Sequence, residues 1–264
     1  MRSEWIRPDW PAPASVGAAM STRAGGVSSG PWASLNLRPP ELDDLEPAAA
    51  KADTLDDPAT RHENLRRWQE ALGAEPVILR QVHGHRVVVL DGPSTPGQHA
   101  ADAAVTTQRG LACTVLVADC LPVLMCDRQG LAVAAAHAGW RGLASGVLEH
   151  TVAALCQAAE CEPGDLLAWL GPCIGADAFE VGADVLKAFA GDASGHARFK
   201  PASRPDGSLR WRADLAGLAA DRMSAAGVGS LHRLAACTVS EPSRFFSFRR
   251  DGLTGRMAAS IWRR

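Results

Sequence analysis

The chain of 264 residues contains no tyrosine, so no phenol group is available as a catalytic acid, base or radical carrier. It has no excess of basic residues either. The net charge is −2 and the pI is about 6.4, which gives no electrostatic basis for binding nucleic acid or an anionic membrane. No apolar run is long enough to span a bilayer, and the first residues lack the apolar segment of a signal peptide. We therefore expect a cytoplasmic protein that binds neither nucleic acid nor membrane.

A disulfide framework is also missing, because the seven cysteines are odd in number and irregularly spaced. In a reducing compartment such thiols are free, metal-bound or catalytic. Predicted strands and helices mix without a strict βαβ period, a repeat or a linker, so residues 1–264 are expected to form one α+β or mixed α/β domain. An acidic stretch rich in alanine and proline, residues 38–57, is predicted to be a surface insertion.

The stretch from 111 to 142 carries the strongest chemical signal in the chain. It holds two apolar runs of strand length; the first is followed by Asp119 and Cys120, and the second ends at His137. Apolar runs bounded by turn residues are typical of buried strands. We therefore expect Cys120 and His137 to lie at strand ends, where their side chains can face a pocket.

Periodicity and turn residues predict the other elements. A helix over 58–72 has Asp57 as its N-cap and Gly73 at its end. Residues 77–90 are predicted to form a hairpin or a bent strand, with His83 at the bend. Further helices are predicted at 142–159, 181–190 and 213–225, and further strands at 15–22, 102–107, 166–170, 231–239 and 255–262.

His83, Cys120 and His137 form a possible metal set. A thiolate and two imidazoles suit zinc, and three protein ligands leave a fourth position for water, as in catalytic zinc sites. The separations of 37 and 17 residues carry little specificity, however, and a core cysteine with two loop histidines explains the same residues. In a metal-free alternative Cys120 is a nucleophile, His137 is its base, and Asp119 or a backbone group orients the base.

Three further residues are candidates for supporting roles. Asp119 would support a histidine ligand or act as a general base, although a carboxylate in a strand-end turn is equally common. Arg141 would lower the thiol pKa or bind an anion. Arg23 begins a loop rich in glycine and serine whose backbone N–H groups could bind an anion. A flexible turn has the same composition, and no Gly-Lys-Ser/Thr follows, so the loop is not a P-loop.

Seven motifs occur in this order in one known family: STRAGGVS at 21–28, SLNL at 34–37, QVHG at 81–84, ADC at 118–120, HAGWRG at 137–142, GPCIG with FEVG at 171–182, and FSFRRDGLTGRM at 246–257. With these motifs the chain resembles the YfiH family, also described as laccase-domain or multicopper polyphenol oxidase proteins. The resemblance extends from about residue 15 to the C-terminus. It is far more specific than the spacing of the three ligands alone.

The resemblance implies an α+β fold of mixed β-sheets packed together with helices outside, similar to bacterial toxin cysteine deamidases. It implies a metal site, normally zinc, at His83, Cys120 and His137. It also implies an enzyme that acts on purine nucleoside and phosphate, by phosphorolysis of adenosine, inosine and methylthioadenosine and by deamination of adenosine. On this basis we hypothesise that Asp119 supports the metal ligands, and that the residues positioning substrate or phosphate are Arg23, Asn36 and Arg141.

Other activities assigned within the family keep alternatives open. One is a cysteine amidohydrolase that removes misincorporated serine from peptidoglycan precursors, and another is a metal-stabilised nucleoside-binding protein without catalysis. Copper-dependent phenol oxidation needs several coppers and many histidine ligands, whereas two of the eight histidines lie in site contexts, so copper at the same three residues would be adventitious. The chain also departs from the family pattern: Arg38 stands where glycine is usual, and Trp32, Phe179 and Phe248 stand where tyrosine is frequent.

Overall fold

The computed structural model describes residues 5–45, 55–190, 195–204 and 206–264. The strands are β1 (Val16–Met20), β2 (Glu75–Ile78), β3 (Val87–Val89), β4 (Ala103–Thr106), β5 (Leu111–Val117), β6 (Leu121–Asp127), β7 (Val133–Ala138), β8 (Leu166–Leu170), β9 (Glu180–Val181), β10 (Phe199–Ser203), β11 (Leu209–Ala213), β12 (Ser230–Arg233) and β13 (Met257–Arg263). The helices are α1 (Pro58–Leu72), α2 (Trp140–Ala144), α3 (Val147–Ala159), α4 (Ala183–Ala188), α5 (Leu215–Ala225) and α6 (Phe248–Asp251).

These strands form two large mixed sheets and one small sheet. The four-stranded sheet has the order β1-β13-β5-β2, with β2 parallel to β5 and the other pairs antiparallel. The six-stranded sheet has the order β12-β8-β6-β7-β4-β3, in which the two outer pairs are parallel. The small sheet is antiparallel, in the order β10-β11-β9. The predicted fold class, an α+β fold with mixed sheets, is confirmed.

Three apolar clusters place the sheets face to face with helices on their outer sides. The cluster between the two large sheets includes Leu124 and Trp169 from one and Met257 from the other. Helix α3 covers the outer face of the six-stranded sheet, and α4 and α5 belong to the same apolar cluster, with α4 against the small sheet and α5 against α3. Helix α1 covers the outer face of the four-stranded sheet with Trp68 and Leu72. The strands of the six-stranded sheet are apolar on both sides because both faces of that sheet are buried.

Helix α1 has the boundaries that its sequence predicts. The Asp57 side chain accepts a hydrogen bond from the backbone N–H of Ala59, and Pro58 is the first helical residue. Gly73 ends the helix with φ of 63°, a left-handed conformation that glycine adopts at little cost.

The prediction of a hairpin or a bent strand over 77–90 is wrong. Strand β2 pairs with β5 in the four-stranded sheet, whereas β3 pairs with β4 in the six-stranded sheet. The connection between them therefore passes from one sheet to the other, and it carries His83 with φ of 59°. Local sequence cannot distinguish such a crossing from a hairpin, because both need two short apolar runs around a turn.

Other predicted boundaries also change. The stretch 111–142 contains three strands, and β5 and β6 belong to different sheets that residues 118–120 connect. The helix predicted at 142–159 is broken at Gly146, which has φ of 94°, into α2 and α3. The strand predicted at 231–239 ends at Arg233.

The central part of the predicted insertion, residues 46–54, lies outside the described residues. The described residues at its start pack against the rest of the protein. The Leu42 side chain is buried, and the Asp43 carboxylate accepts two hydrogen bonds from Arg61, at 3.1 and 2.6 Å. Among the described helices, none combines the length and apolar character needed to cross a membrane.

Candidate metal centre

Three chain segments bring His83, Cys120 and His137 together. Cys120 lies in the link between the two large sheets, His137 lies near the end of β7, and His83 lies in the connection from β2 to β3. One ligand atom from each residue lies within 4.8 Å of the other two. The two imidazole rings meet edge to face, with centroids 4.9 Å apart. His137 is buried, Cys120 is half-buried and His83 is exposed, so the group is open to solvent on one side.

The local electrostatics favour the thiolate of Cys120. Burial acts to raise the pKa of this thiol, but the charges and hydrogen bonds of His137 and His83 outweigh burial and lower the pKa to about 6. For His137, burial acts to lower the pKa, and the Cys120 thiolate together with Asp102 raises it above the ordinary histidine value. A thiolate beside two imidazoles is the ionisation state that a metal ligand or a nucleophile requires.

The carboxylate that contacts His137 belongs to Asp102. Its Oδ1 lies 2.9 Å from Nδ1 of His137, and the side chain is fully buried. Burial acts to raise the pKa of Asp102, but the bond and charge of His137, together with backbone N–H groups, lower it. From the sequence alone, residue 102 is only the first residue of a predicted strand. An aspartate next to a strand rich in alanine carries no pattern that identifies a buried partner.

Gly139 leaves the space that the three side chains occupy. A Cβ atom at this position would lie 3.0 Å from Cδ2 of His83 and 3.1 Å from Sγ of Cys120. The donor set of one thiolate and two imidazoles fits zinc, and the close backbone of Gly139 lets the three groups converge. These residues therefore fit the metal that the family resemblance implies.

A cavity of about 380 Å³ opens beside the group. His83, Cys120 and His137 all contribute to its wall. The wall also includes two guanidinium side chains, an aromatic ring and an amide, which are those of Arg38, Arg256, Phe248 and Gln81. Its volume is at the lower end of the range of about 300–1,000 Å³ for small-molecule sites.

A second, smaller cavity of about 210 Å³ also borders His83 and Cys120. Arg141 and Trp140 form part of its wall, and the guanidinium of Arg141 stacks on the indole of Trp140 at 4.3 Å. Phe248 lines both cavities and is 59% exposed. Arg141 therefore borders the smaller cavity together with Cys120.

Asp119 is next to Cys120, but its carboxylate points to other partners. Oδ1 accepts a hydrogen bond from the hydroxyl of Thr238 at 2.6 Å, and Oδ2 accepts one from the backbone N–H of Arg249 at 2.6 Å. Asp119 has φ of 95°, a conformation that L-residues rarely adopt. Its described contacts fix the turn that carries Cys120, and they do not include either histidine of the group.

Asn36 contributes to the larger cavity indirectly. Its side chain is buried, and its Oδ1 accepts hydrogen bonds from the backbone N–H groups of Arg38 and Arg256, at 3.2 and 3.0 Å. Asn36 thus brings together two cavity residues that are far apart in the chain. The family pattern predicts Asn36 as a site residue, whereas Arg38 is only a departure from that pattern, and Arg256 lies within the last motif without an assigned role.

Arg23 and its loop are engaged in internal contacts. The guanidinium donates to the carbonyls of Ala33 and Pro242, both at 2.9 Å, and stacks on Phe246 at 4.8 Å. In the loop, the N–H groups of Gly26 and Val27 donate to side-chain oxygens. These N–H groups of the loop are therefore used in contacts within the protein, and the expected arrangement of N–H groups around an anion is not what they form.

Comparison with known proteins identifies the family. The sequence model of a family described as multi-copper polyphenol oxidoreductase laccase matches residues 17–264. The chain belongs to this family. Two relatives match this chain over nearly the whole length of both sequences. A purine nucleoside phosphorylase of Pseudomonas aeruginosa is 48% identical over 260 residues, with 98% of each chain covered. The purine nucleoside phosphorylase YfiH of Escherichia coli is 44% identical over 263 residues, covering 98% of this chain and 99% of the relative.

Solved structures of the family have the same fold. A Neisseria meningitidis protein of the DUF152 family superposes with a TM-score of 0.83 at 43% identity, with 98% of each chain covered. YlmD from Geobacillus stearothermophilus superposes with a TM-score of 0.82 at 29% identity, covering 100% of this chain and 97% of the other. The resemblance to the YfiH family, first recognised in the sequence motifs, is therefore confirmed.

Proposed function

We propose that this chain is a zinc-dependent purine nucleoside phosphorylase that cleaves adenosine, inosine and methylthioadenosine and also deaminates adenosine. The observation that carries the proposal is the position of His83, Cys120 and His137 on the wall of a cavity of nucleoside size. The names of the relatives, which are purine nucleoside phosphorylases, support the choice of reaction. We expect zinc as the metal, with copper binding adventitiously at the same ligands.

The cavity wall provides groups for each part of a nucleoside and for phosphate. Arg38 and Arg256 would hold the phosphate, because guanidinium groups match phosphate oxygens in geometry and charge. The exposed ring of Phe248 offers a surface on which a purine base can stack. Zinc bound by the three ligands would supply Lewis-acid chemistry. Arg38 and Arg256 thereby take the role that the sequence hypothesis gave to Arg23, while Arg141 stays a candidate from the smaller cavity.

The product mixture tests the reaction. We would incubate purified protein of known metal content with adenosine and phosphate and separate the products by chromatography. Adenine that forms only when phosphate is present indicates phosphorolysis, and inosine or hypoxanthine indicates deamination. The absence of all three products would contradict the proposed function.

A matched pair of cysteine variants tests the site. Cys120→Ala should abolish both metal binding and turnover, because it removes one of three ligands. Cys156→Ala removes a half-buried thiol outside the site and should leave both unchanged. A metal-free Cys120→Ala protein with full activity would rule out the metal mechanism.

A second function is favoured by one specific arrangement. Cys120, His137 and Asp102 are linked in the order thiol, imidazole and carboxylate, which is the order of groups in cysteine hydrolases. As an amidohydrolase, the Cys120 thiolate would add to an amide carbonyl, and protonated His137 would give its proton to the amine that leaves as the C–N bond breaks; water would then hydrolyse the thioester on Cys120. Activity that persists after removal of metal and disappears after thiol alkylation would select this function over the phosphorylase.

A further inference from the structure

Asp102 lies directly across from His137 between two paired strands. Strands β4 and β7 are antiparallel, and their ladder continues by one bond beyond β4, because the backbone N–H of His137 donates to the carbonyl of Asp102 at 2.7 Å. Cross-strand neighbours project their side chains to the same face of a sheet. The sheet register alone therefore places the carboxylate of Asp102 beside the imidazole of His137.

The two carboxylate oxygens of Asp102 divide four contacts between two parts of the site. Oδ1 accepts a hydrogen bond from the backbone N–H of His83 and meets Nδ1 of His137, both at 2.9 Å. Oδ2 accepts hydrogen bonds from the N–H groups of Val82 at 3.1 Å and Gly84 at 2.7 Å. A single buried side chain thus contacts one metal ligand through its ring and another through its backbone.

Each contact has a consequence for the geometry of the metal centre. A carboxylate can only accept hydrogen bonds, so the ring nitrogen that faces it, Nδ1 of His137, must carry the proton. The lone pair of Nε2 is then left for a metal. His83 has φ of 59°, which is unfavourable for a residue with a Cβ. Three consecutive N–H groups bound to one carboxylate compensate for this backbone conformation and fix the loop that carries the imidazole.

We propose that Asp102 is the positioning residue of the metal centre: it selects the tautomer of His137 and holds the loop of His83, so that both imidazoles meet Cys120. This role presupposes the metal site of the proposed function. Its readout is metal affinity rather than turnover, so a failure of the nucleoside assay and a failure of this proposal are distinguishable.

Asp127 provides a matched control. It too is a buried aspartate, and its carboxylate accepts hydrogen bonds from the backbone N–H groups of Gln129, Leu131 and Ala132 at 2.7–2.9 Å. It lies at the other end of β6, and its described hydrogen bonds include no metal ligand. Replacing Asp127 by asparagine therefore removes a buried carboxylate and its turn contacts while leaving the metal ligands in place.

The test compares zinc dissociation constants, measured by competition with a chromophoric chelator, for wild type, Asp102→Asn and Asp127→Asn. Asparagine cannot accept all four bonds, so Asp102→Asn should bind zinc about 10–100-fold more weakly, the range for partners of metal-ligating histidines. Asp127→Asn should bind zinc like wild type. Wild-type affinity in folded Asp102→Asn, or an equal loss in Asp127→Asn, would overturn the proposal.

A measurement on wild type keeps the proposal testable if Asp102→Asn does not fold. Two-dimensional proton–nitrogen spectra of zinc-loaded protein resolve which ring nitrogen of each histidine carries a proton. We expect His137 to be protonated at Nδ1 and metal-bound at Nε2. A proton on Nε2 with metal on Nδ1 would overturn the proposal.

Discussion

Cys120 and Cys126 lie six positions apart in the chain, yet their surroundings act on the two thiols in opposite directions. Burial raises the pKa of Cys126 to about 12, with a further contribution from Asp127. Burial acts on Cys120 in the same sense, but the adjacent His137 and His83 lower its pKa to about 6. The difference arises from the neighbouring charges, because burial acts to raise the pKa of both thiols.

This difference predicts selective alkylation in the metal-free protein. Iodoacetamide reacts with thiolates, so the rate at Cys120 should fall only as the pH drops through about 6, well below the value near 8.5 for an ordinary cysteine. Peptide mass spectrometry after removal of metal by chelation measures the rate at each cysteine. Bound zinc should protect Cys120, and Cys126 should not react. A rate at Cys120 that falls off near pH 8.5 would contradict the assignment.

The close packing around Gly139 predicts that a side chain at this position weakens zinc binding. Gly139→Ala places a methyl group 3.0 Å from His83 and 3.1 Å from Cys120, closer than side chains normally approach, so the ligands must move apart. We expect zinc affinity to fall by on the order of tenfold or more, comparable with the loss of a group that orients a ligand. Gly92→Ala is the control, because a Cβ atom there has no neighbour within 4 Å. Equal zinc affinities in the two variants would contradict the prediction.

The residues of the site differ in how far the sequence could reveal them. Cys120 and His137 follow apolar runs, and the family motifs supplied His83, so the three ligands were predicted. Asp102 was missed, because its importance comes from burial and from facing His137 in the sheet, and neither is encoded by local pattern. Arg256 lies within the motif at 246–257, but its place at the cavity could not be predicted for a similar reason: its backbone N–H contacts Asn36, which is 220 positions away.

At the scale of elements, Asp119 joins three segments. Its backbone belongs to the link between β5 and β6, while its carboxylate accepts hydrogen bonds from Thr238 and from the N–H of Arg249 at the start of α6. Phe248, which lines both cavities, is therefore placed relative to Cys120 through Asp119. The role supported by these contacts is one of connecting elements around the site.

Thr238→Val tests this connection with little change of shape. Loss of the hydroxyl leaves Oδ1 of the buried Asp119 without its donor, which should lower the free energy of unfolding by about 1–3 kcal/mol and reduce turnover by displacing Cys120. Thr254→Val is the matched control: Thr254 is buried, and its hydroxyl has no hydrogen-bond partner among the described residues. Urea unfolding and turnover of both variants provide the comparison. Equal stabilities would show that the Thr238 bond contributes nothing.

Elements with local boundary signals were predicted well, and elements defined by distant pairing were not. Helix α1 was predicted because an N-cap aspartate, a proline and a terminal glycine lie within its own sequence. The pattern over 77–90 predicts a hairpin or a bent strand, although its two strands pair in different sheets. Strand partners depend on packing between layers, which short-range patterns do not contain.

For the whole molecule, we predict that zinc bound at the metal centre raises the free energy of unfolding. A metal that binds the folded state alone adds about 2.7 kcal/mol when its concentration is 100 times the dissociation constant. For a domain of this size that corresponds to a rise of about 5–10 °C in Tm. Thermal unfolding before chelation, after chelation and after zinc is restored measures the shift. Cys120→Ala should show no rise, and an equal rise in that variant would place the stabilising metal elsewhere.

The short link at residues 118–120 also bears on how substrate reaches the cavity. It joins the four-stranded sheet to the six-stranded sheet at the position of Cys120, and the sheets pack against each other through a shared apolar cluster. Strands fixed in this way cannot swing apart to admit a ligand without disrupting both sheets. We therefore expect substrate to enter through the open side of the cavity, whose wall includes Arg38, the first residue of the predicted insertion, and the exposed Phe248 of the short helix α6.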